Sequence, residues 1–229
     1  MARGFVRRGE DFVAALTPPE RVVIAQLAGD VIELLAGDDE ELVDPADGPG
    51  SIAAMLEALD RPVRRPSDPA LMLLLPDATT DPELADEFRR FTEDELRHRK
   101  VQRLLDLANR MLAPEPEGDA HDLHELVVAS EDAAELAAAM TDVRLVLASR
   151  LGIGDDAQAE QLYRDLMSDD EAGTDTEDER GSGPDDGSEA VRRFVGAAFT
   201  LLGALQESLT DCLIEGLPAR PRGQSPTNG

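Results

Sequence analysis

The sequence runs to 229 residues, with 41% hydrophobic residues, 3% aromatic residues and a formal net charge of -27. That length holds one large domain or two small ones, with a core built from Leu, Val, Ala and Met rather than from rings. The charge disfavours nucleic acids and anionic membrane surfaces, which are bound through Lys and Arg, and it favours partners with cationic patches.

Cys212 is the single cysteine, so neither an intrachain disulfide nor a cysteine-based zinc site is open to the chain. Residues 1–5 open basic but lack the apolar stretch of a secretory signal. The charge-free run from Val195 to Gln206 is too short to cross a bilayer. The cytoplasm is therefore the expected compartment. Lys100 is the sole lysine among 22 basic residues, a bias that reads as codon pressure from a GC-rich genome.

In chain order, Phe5-Val6-Arg7 and Asp11-Phe12-Val13 flank Arg8-Gly9-Glu10 and predict a short hairpin. Two strands alone are marginal, so the hairpin must lean on helices. Thr17-Pro18-Pro19-Glu20 is a helix start, with Thr17 as cap, Pro18 in the first turn and Glu20 completing a capping box. That helix carries Val23, Ile24, Leu27, Val31, Leu34 and Leu35 on one face and ends near Gly37. Residues 37–50 read as an acidic loop. A short helix from Ser51 to Leu59 follows, then an extended basic link with Arg61, Arg64 and Arg65.

Asp68-Pro69 starts another short helix, Ala70 to Leu75. Asp81-Pro82-Glu83 starts the longest, reaching about Leu112. A linker at 113–121 leads to a brief extended piece, Glu125 to Ala129. Ser130 is the expected cap of a helix to Leu151, with Leu136, Met140, Val143, Leu147 and Leu151 at helical spacing and Gly152 as its stop. Residues 157–167 predict one more short helix.

Between Ser168 and Ser188 the chain has nine acids, one Arg and almost no apolar residues, so this insert is expected to be disordered. The last helix runs from Ser188 to Ile214. Its stripe is Val191, Val195, Ala198, Leu202, Leu205, Leu209 and Cys212, widened by Phe194, Phe199, Leu201 and Leu213, as for a helix central to a bundle or a dimer interface. The tail at 217–229 reads as disordered. These elements predict an all-α fold: an irregular bundle of about three long and several short helices in one domain, 1–216, with the short N-terminal β-hairpin attached.

The sequence offers little assembled chemistry. Gly152-Ile153-Gly154 follows a helix and matches no phosphate-binding spacing. Glu95 and His98 form one E-x-x-H, where a di-iron bundle needs two. His121, His124 and Glu125 lie in or beside a linker, and Cys212 sits at an inward position as packing. No catalytic residue, metal or cofactor is expected.

The most informative stretch is Glu87 to Arg103, EFRRFTEDELRHRKVQR. On the longest helix, Leu84, Phe88 and Phe91 form an apolar stripe that resumes at Val101, Leu105, Ala108 and Leu112, so the stripe is broken for about two turns. Two readings stay open. The middle of the helix is solvated, held by pairs such as Asp86–Arg90, Glu93–Arg97 and Glu95–Arg99, each worth about 0.3–0.5 kcal/mol. Alternatively Arg89, Arg90, Glu93 and Arg97 form a partly buried network or small-anion pocket with Asp142, Arg144 or Arg150 of the next long helix.

Several segments together resemble a known family: Asp68-Pro69-Ala70-Leu71 with Leu74-Leu75-Pro76-Asp77; Glu87-Phe88-Arg89-Arg90 with Thr92-Glu93, Leu96-Arg97 and Lys100; Asp142-Val143-Arg144-Leu145 with Leu147 and Arg150-Leu151; and Gln206-Glu207-Ser208-Leu209. The chain resembles the actinobacterial domain-of-unknown-function family usually encoded beside the Clp adaptor ClpS. It departs from that family's usual pattern at Ala137, Thr141 and Ala148, where Trp, Asn and Gly are common. The resemblance implies no catalytic residues. With the acidic field and the apolar last helix, it points to a non-catalytic interaction or regulatory protein, linked to Clp-type proteolysis, whose partner is another protein or a second copy docked through the C-terminal helix. The alternatives are an anion-binding protein or enzyme using the Arg-rich patch, and a transcriptional regulator.

Overall fold

The computed structural model describes residues 4–37, 65–114, 119, 121–172 and 186–215. The elements are β1 (Val6–Arg8), β2 (Asp11–Leu16), α1 (Pro18–Ala36), α2 (Pro69–Leu74), α3 (Pro82–Met111), β3 (His124–Ala129), α4 (Ala133–Leu151), α5 (Asp156–Ala172) and α6 (Asp186–Glu215). The fold is mostly helical but not all-α. The expected extended piece at 125–129 is a third strand, and the sheet order is β1-β2-β3, antiparallel throughout. The short helix expected at 51–59, the middle of the acidic insert and the tail at 217–229 lie outside the described residues. Both ends of the predicted insert, 168–172 and 186–188, are helical, because α5 reaches Ala172 and α6 begins at Asp186.

Local chemistry sets the helix boundaries. At α1 the capping box is complete: the Glu20 carboxylate accepts from Thr17 N at 2.8 Å, and Thr17 Oγ1 accepts from Glu20 N at 3.5 Å. Asp68 accepts from Ala70 N at 2.7 Å to start α2, and Asp81 accepts from Glu83 N at 3.1 Å to start α3. The N-cap of α4 is Asp132, not Ser130, and it makes no side-chain cap hydrogen bond. The Asp132 backbone is already helical, at φ -91° and ψ -15°, where a capping side chain needs an extended one, and its Oδ2 accepts from Arg110 Nη2 at 2.8 Å. Gly152 ends α4 at φ 73°, a left-handed conformation that costs other residues energy.

The sheet has an inner and an outer face. Phe12, Ala14 and Leu16 of β2 and Leu126 and Val128 of β3 are buried in the common core with α1, α2, α4 and α6. On the outer face Val6, Val13 and Val127 form one cross-strand row. Val6 and Val127 are exposed, yet Val13 between them is buried. Arg8 on β1 and Glu125 on β3 form a two-pronged ion pair, at 2.8 and 2.7 Å, that crosses the central strand diagonally over that row. The pair is solvent-facing and contributes little energy by itself; what it does is cover Val13.

The N-terminal edge is clasped by the last helix. Phe5 N donates to Ser208 Oγ at 2.8 Å, and Cys212 Sγ donates to Phe5 O at 3.5 Å. A Cβ at Gly4 would lie 2.7 Å from Ser208 Cβ, so the approach needs glycine there. Burial, then the nearby carboxylates of Glu215 and Asp211, push the Cys212 thiol up, which keeps it protonated and unreactive.

Helix α4 packs as its periodicity predicts: Leu136, Met140, Val143, Leu147 and Leu151 are all buried. So are Ala198, Leu202, Leu205, Leu209 and Cys212 of α6, while Val191 and Phe194 are exposed. Helix α3 departs from expectation. Its buried residues are Ala85, Arg89, Lys100, Leu104, Leu107 and Met111. Leu84, Phe88, Phe91, Leu105 and Leu112 face outward. The helix is rotated relative to its apolar stripe: its inward seam is apolar at Ala85 and from Leu104 to Met111, and charged between them at Arg89 and Lys100.

Candidate functional site

Two buried polar clusters lie along that seam. In the first, Arg89 is sandwiched between two carboxylates. Its Nη1 donates to Glu93 Oε2 at 2.7 Å and its Nη2 to Asp77 Oδ1. Glu93 also accepts from Arg97 Nη2 at 2.8 Å, and Asp77 pairs with Arg65 at 3.1 Å. Arg97 Nη1 donates to the carbonyl of Leu35 at the end of α1. The charges thus alternate from Arg65 through Asp77, Arg89 and Glu93 to Arg97. Burial works against the Arg89 charge, but Glu93 and Asp77 outweigh it and hold its pKa up. Arg89 Nε is buried with no hydrogen-bond partner.

The cavity beside this chain, lined by Asp77, Ala85, Arg89, Thr92 and Glu93, has a volume of only about 30 Å³, room for one or two waters and nothing larger. The cations of this cluster are answered internally, so the arrangement joins α1, α3 and the α2–α3 loop.

In the second cluster Asp142, 2% exposed, lies on α4 between two cations of α3. Lys100 Nζ donates to Oδ1 at 2.6 Å, and Arg103 Nε donates to Oδ2 at 2.8 Å. The chain's one lysine is therefore a buried tie between helices.

Of the residues grouped by sequence, the structure brings together Arg89, Glu93 and Arg97, and it places the others elsewhere. Arg90 is exposed. Asp142 serves Lys100 and Arg103. Arg144 faces α6, where Nη1 donates to Gln206 Oε1 at 2.7 Å. Arg150 holds Asp68 Oδ2 at 2.7 Å. The separation follows from where the helices meet: Asp142 of α4 reaches α3 at Lys100 and Arg103, about three turns beyond Arg89. The Glu93–Arg97 and Glu95–Arg99 pairs form, at 2.8 and 3.0 Å.

Arg150 and its hydrogen bond hold the Asp68 carboxyl below the ordinary aspartate range, against the opposing effect of burial. A depressed carboxylate stabilises the fold above its unfolded pKa and loses that contribution as pH falls through the folded value. Arg150→Ala should therefore raise the Asp68 pKa, read by NMR titration, and flatten the acid limb of the stability curve. An unchanged Asp68 titration would show that the ion pair does not form in solution.

Sequence reasoning missed Arg21. It is buried on α1, with Nε donating to Met111 O at 2.9 Å and Nη2 to Arg110 O at 2.8 Å. It thereby satisfies the carbonyls that the C-terminus of α3 leaves without intrahelical donors. Arg97 does the same for Leu35 O, so α1 and α3 cap each other's ends. The signal was present: a cation in a helix's first turn opposes the macrodipole, and Arg21 is in phase with Ile24, Ala25 and Ala28.

Among the described residues no group of three His, Cys, Asp or Glu side chains stands close enough to hold a metal ion, and no helix is long and apolar enough to cross a membrane. Neither the curated proteins nor the solved structures contain a match to this chain. A family profile matches residues 2–213. The chain belongs to that family, which is described as a domain of unknown function, DUF2017.

Proposed function

We propose that this chain is a non-catalytic interaction protein and that the outer face of α3 receives its partner. The observation that carries this reading is the stripe of Leu84, Phe88 and Phe91, which are 44%, 46% and 76% exposed. They share one helix face, opposite the charged seam, and they include two of the chain's six Phe residues. Aromatic side chains on an open helix face are a common anchor for helix-in-groove recognition. The seam of α6 is a weaker candidate, because most of it is packed inside the core.

Glu83, Glu87, Asp94 and Glu95 border the stripe and outnumber Arg90 and Arg99, so a basic, apolar partner surface fits it. The resemblance to the family encoded beside ClpS supports a narrower reading, in which the partner belongs to Clp-type regulated proteolysis in the cytoplasm.

Phe91→Asp tests the face. The substitution should change folding stability by less than about 0.5 kcal/mol, since the side chain touches little. Partner capture from native lysate and co-elution with the Clp adaptor should both fall at least about tenfold relative to the unsubstituted chain. Equal capture by both proteins would remove α3 from the proposal.

A further inference from the structure

Arg144, at the α4–α6 seam, is a half-buried cation without a counter-ion. Its guanidinium carbon lies 4.9 Å from the centroid of the Phe199 ring, and its Nε is buried without a hydrogen-bond partner. Nη1 reaches Gln206 Oε1, a neutral acceptor. No carboxylate of the described residues forms an ion pair with it. By contrast Arg89 and Lys100 hold carboxylates, and Arg21 holds helix-end carbonyls. Burial lowers the Arg144 pKa, and Glu207 acts on it only through space.

The acceptor is fixed in place. Thr141 Oγ1 donates to Ala137 O at 2.8 Å, so it can only accept from Gln206 Nε2, also at 2.8 Å. That orientation turns Gln206 Oε1 toward Arg144.

An open cavity of about 340 Å³ lies over this cation, lined by Gly203, Gln206, Glu207, Thr210 and Asp211. Gly203 leaves the guanidinium face bare, since a Cβ there would rest 3.6 Å from Nη2. Thr210 Oγ1 is already committed to Gln206 O at 2.7 Å. The exposed carboxylates of Glu207 and Asp211 stand on the same wall.

We propose that this cavity binds a small zwitterion, a free amino acid, with its carboxylate on Arg144 and its ammonium against Glu207 and Asp211. A plain anion would meet two carboxylates, and a plain amine would meet a guanidinium. Only a ligand carrying both charges is matched at each end. The open cavity has room for a molecule of that size. The site is independent of the α3 face.

The test is calorimetric titration of the full chain with L-alanine, and with acetate and ethylammonium as half-ligands. Alanine should bind at least about tenfold more tightly than either half. Arg144→Gln should abolish its binding. Glu207→Gln should weaken alanine yet strengthen acetate. Gly203→Ala, a contact the fold accommodates, should weaken alanine and keep the proposal testable if the Arg144 variant does not fold. Absence of saturable alanine binding up to about 10 mM would overturn it. So would a Glu207→Gln variant that leaves alanine binding unchanged or strengthens it, since Glu207 would then not hold the ammonium.

Discussion

Asp142→Leu is expected to remove about 3–5 kcal/mol of folding stability in urea denaturation. The substitution takes away one carboxylate and leaves Lys100 and Arg103 facing an apolar side chain. The side chain of Lys100 is 9% exposed and that of Arg103 is 15% exposed, so neither ammonium nor guanidinium can rehydrate without moving α3 off α4. Typical domains hold about 5–15 kcal/mol in all, so the variant should sit close to unfolding. The intact triad is a different matter, because desolvating its three charges offsets most of their attraction. Replacing all three together, Lys100→Met, Arg103→Met and Asp142→Leu, should recover most of the loss. A single variant within about 1 kcal/mol of the parent would mean that water already reaches the triad.

Arg21→Met should cost about 2–4 kcal/mol, from two carbonyls that lose charge-assisted donors and from the lost cation at a helix C-terminus. Methionine keeps most of the buried aliphatic volume, so the loss reports hydrogen bonding rather than a cavity. Hydrogen exchange locates the effect: amides of Ala108 to Leu112, in the last turn of α3, should exchange faster than those of α4. Loss of less than about 0.5 kcal/mol, with α3 protection unchanged, would show that solvent satisfies those carbonyls instead.

The parts legible in the sequence were those where apolar spacing and packing coincide. The inward residues of α4 and α6, the hairpin and the caps at Thr17, Asp68 and Asp81 follow from local rules. The third strand read as extended, but its partner β2 is more than a hundred residues away, and no local signal carries pairing over that distance. The phase of α3 was misread for a physical reason. Hydropathy assigns the core to Leu84, Phe88 and Phe91, whereas the inward side takes Arg89, Glu93 and Lys100, whose charges are cancelled by Arg97 on the same helix, by Asp77 in the preceding loop and by Asp142 on α4. Of the candidate cluster, Arg89, Glu93 and Arg97 of α3 meet, while Arg90 points outward. Asp142, Arg144 and Arg150 serve three different neighbours, because which helix each one faces depends on crossing geometry.

Phe5 and Ser208 are joined across 203 residues. During synthesis the first strand therefore emerges long before the helix that holds it exists. Until α6 is made, the backbone of Phe5 lacks its partners Ser208 and Cys212, and the inner side of the hairpin waits for both β3 and α6. The vulnerable interval is the time between translation of the hairpin and release of the C-terminal helix from the ribosome, when the core that α6 completes is still open to a chaperone or a neighbouring nascent chain.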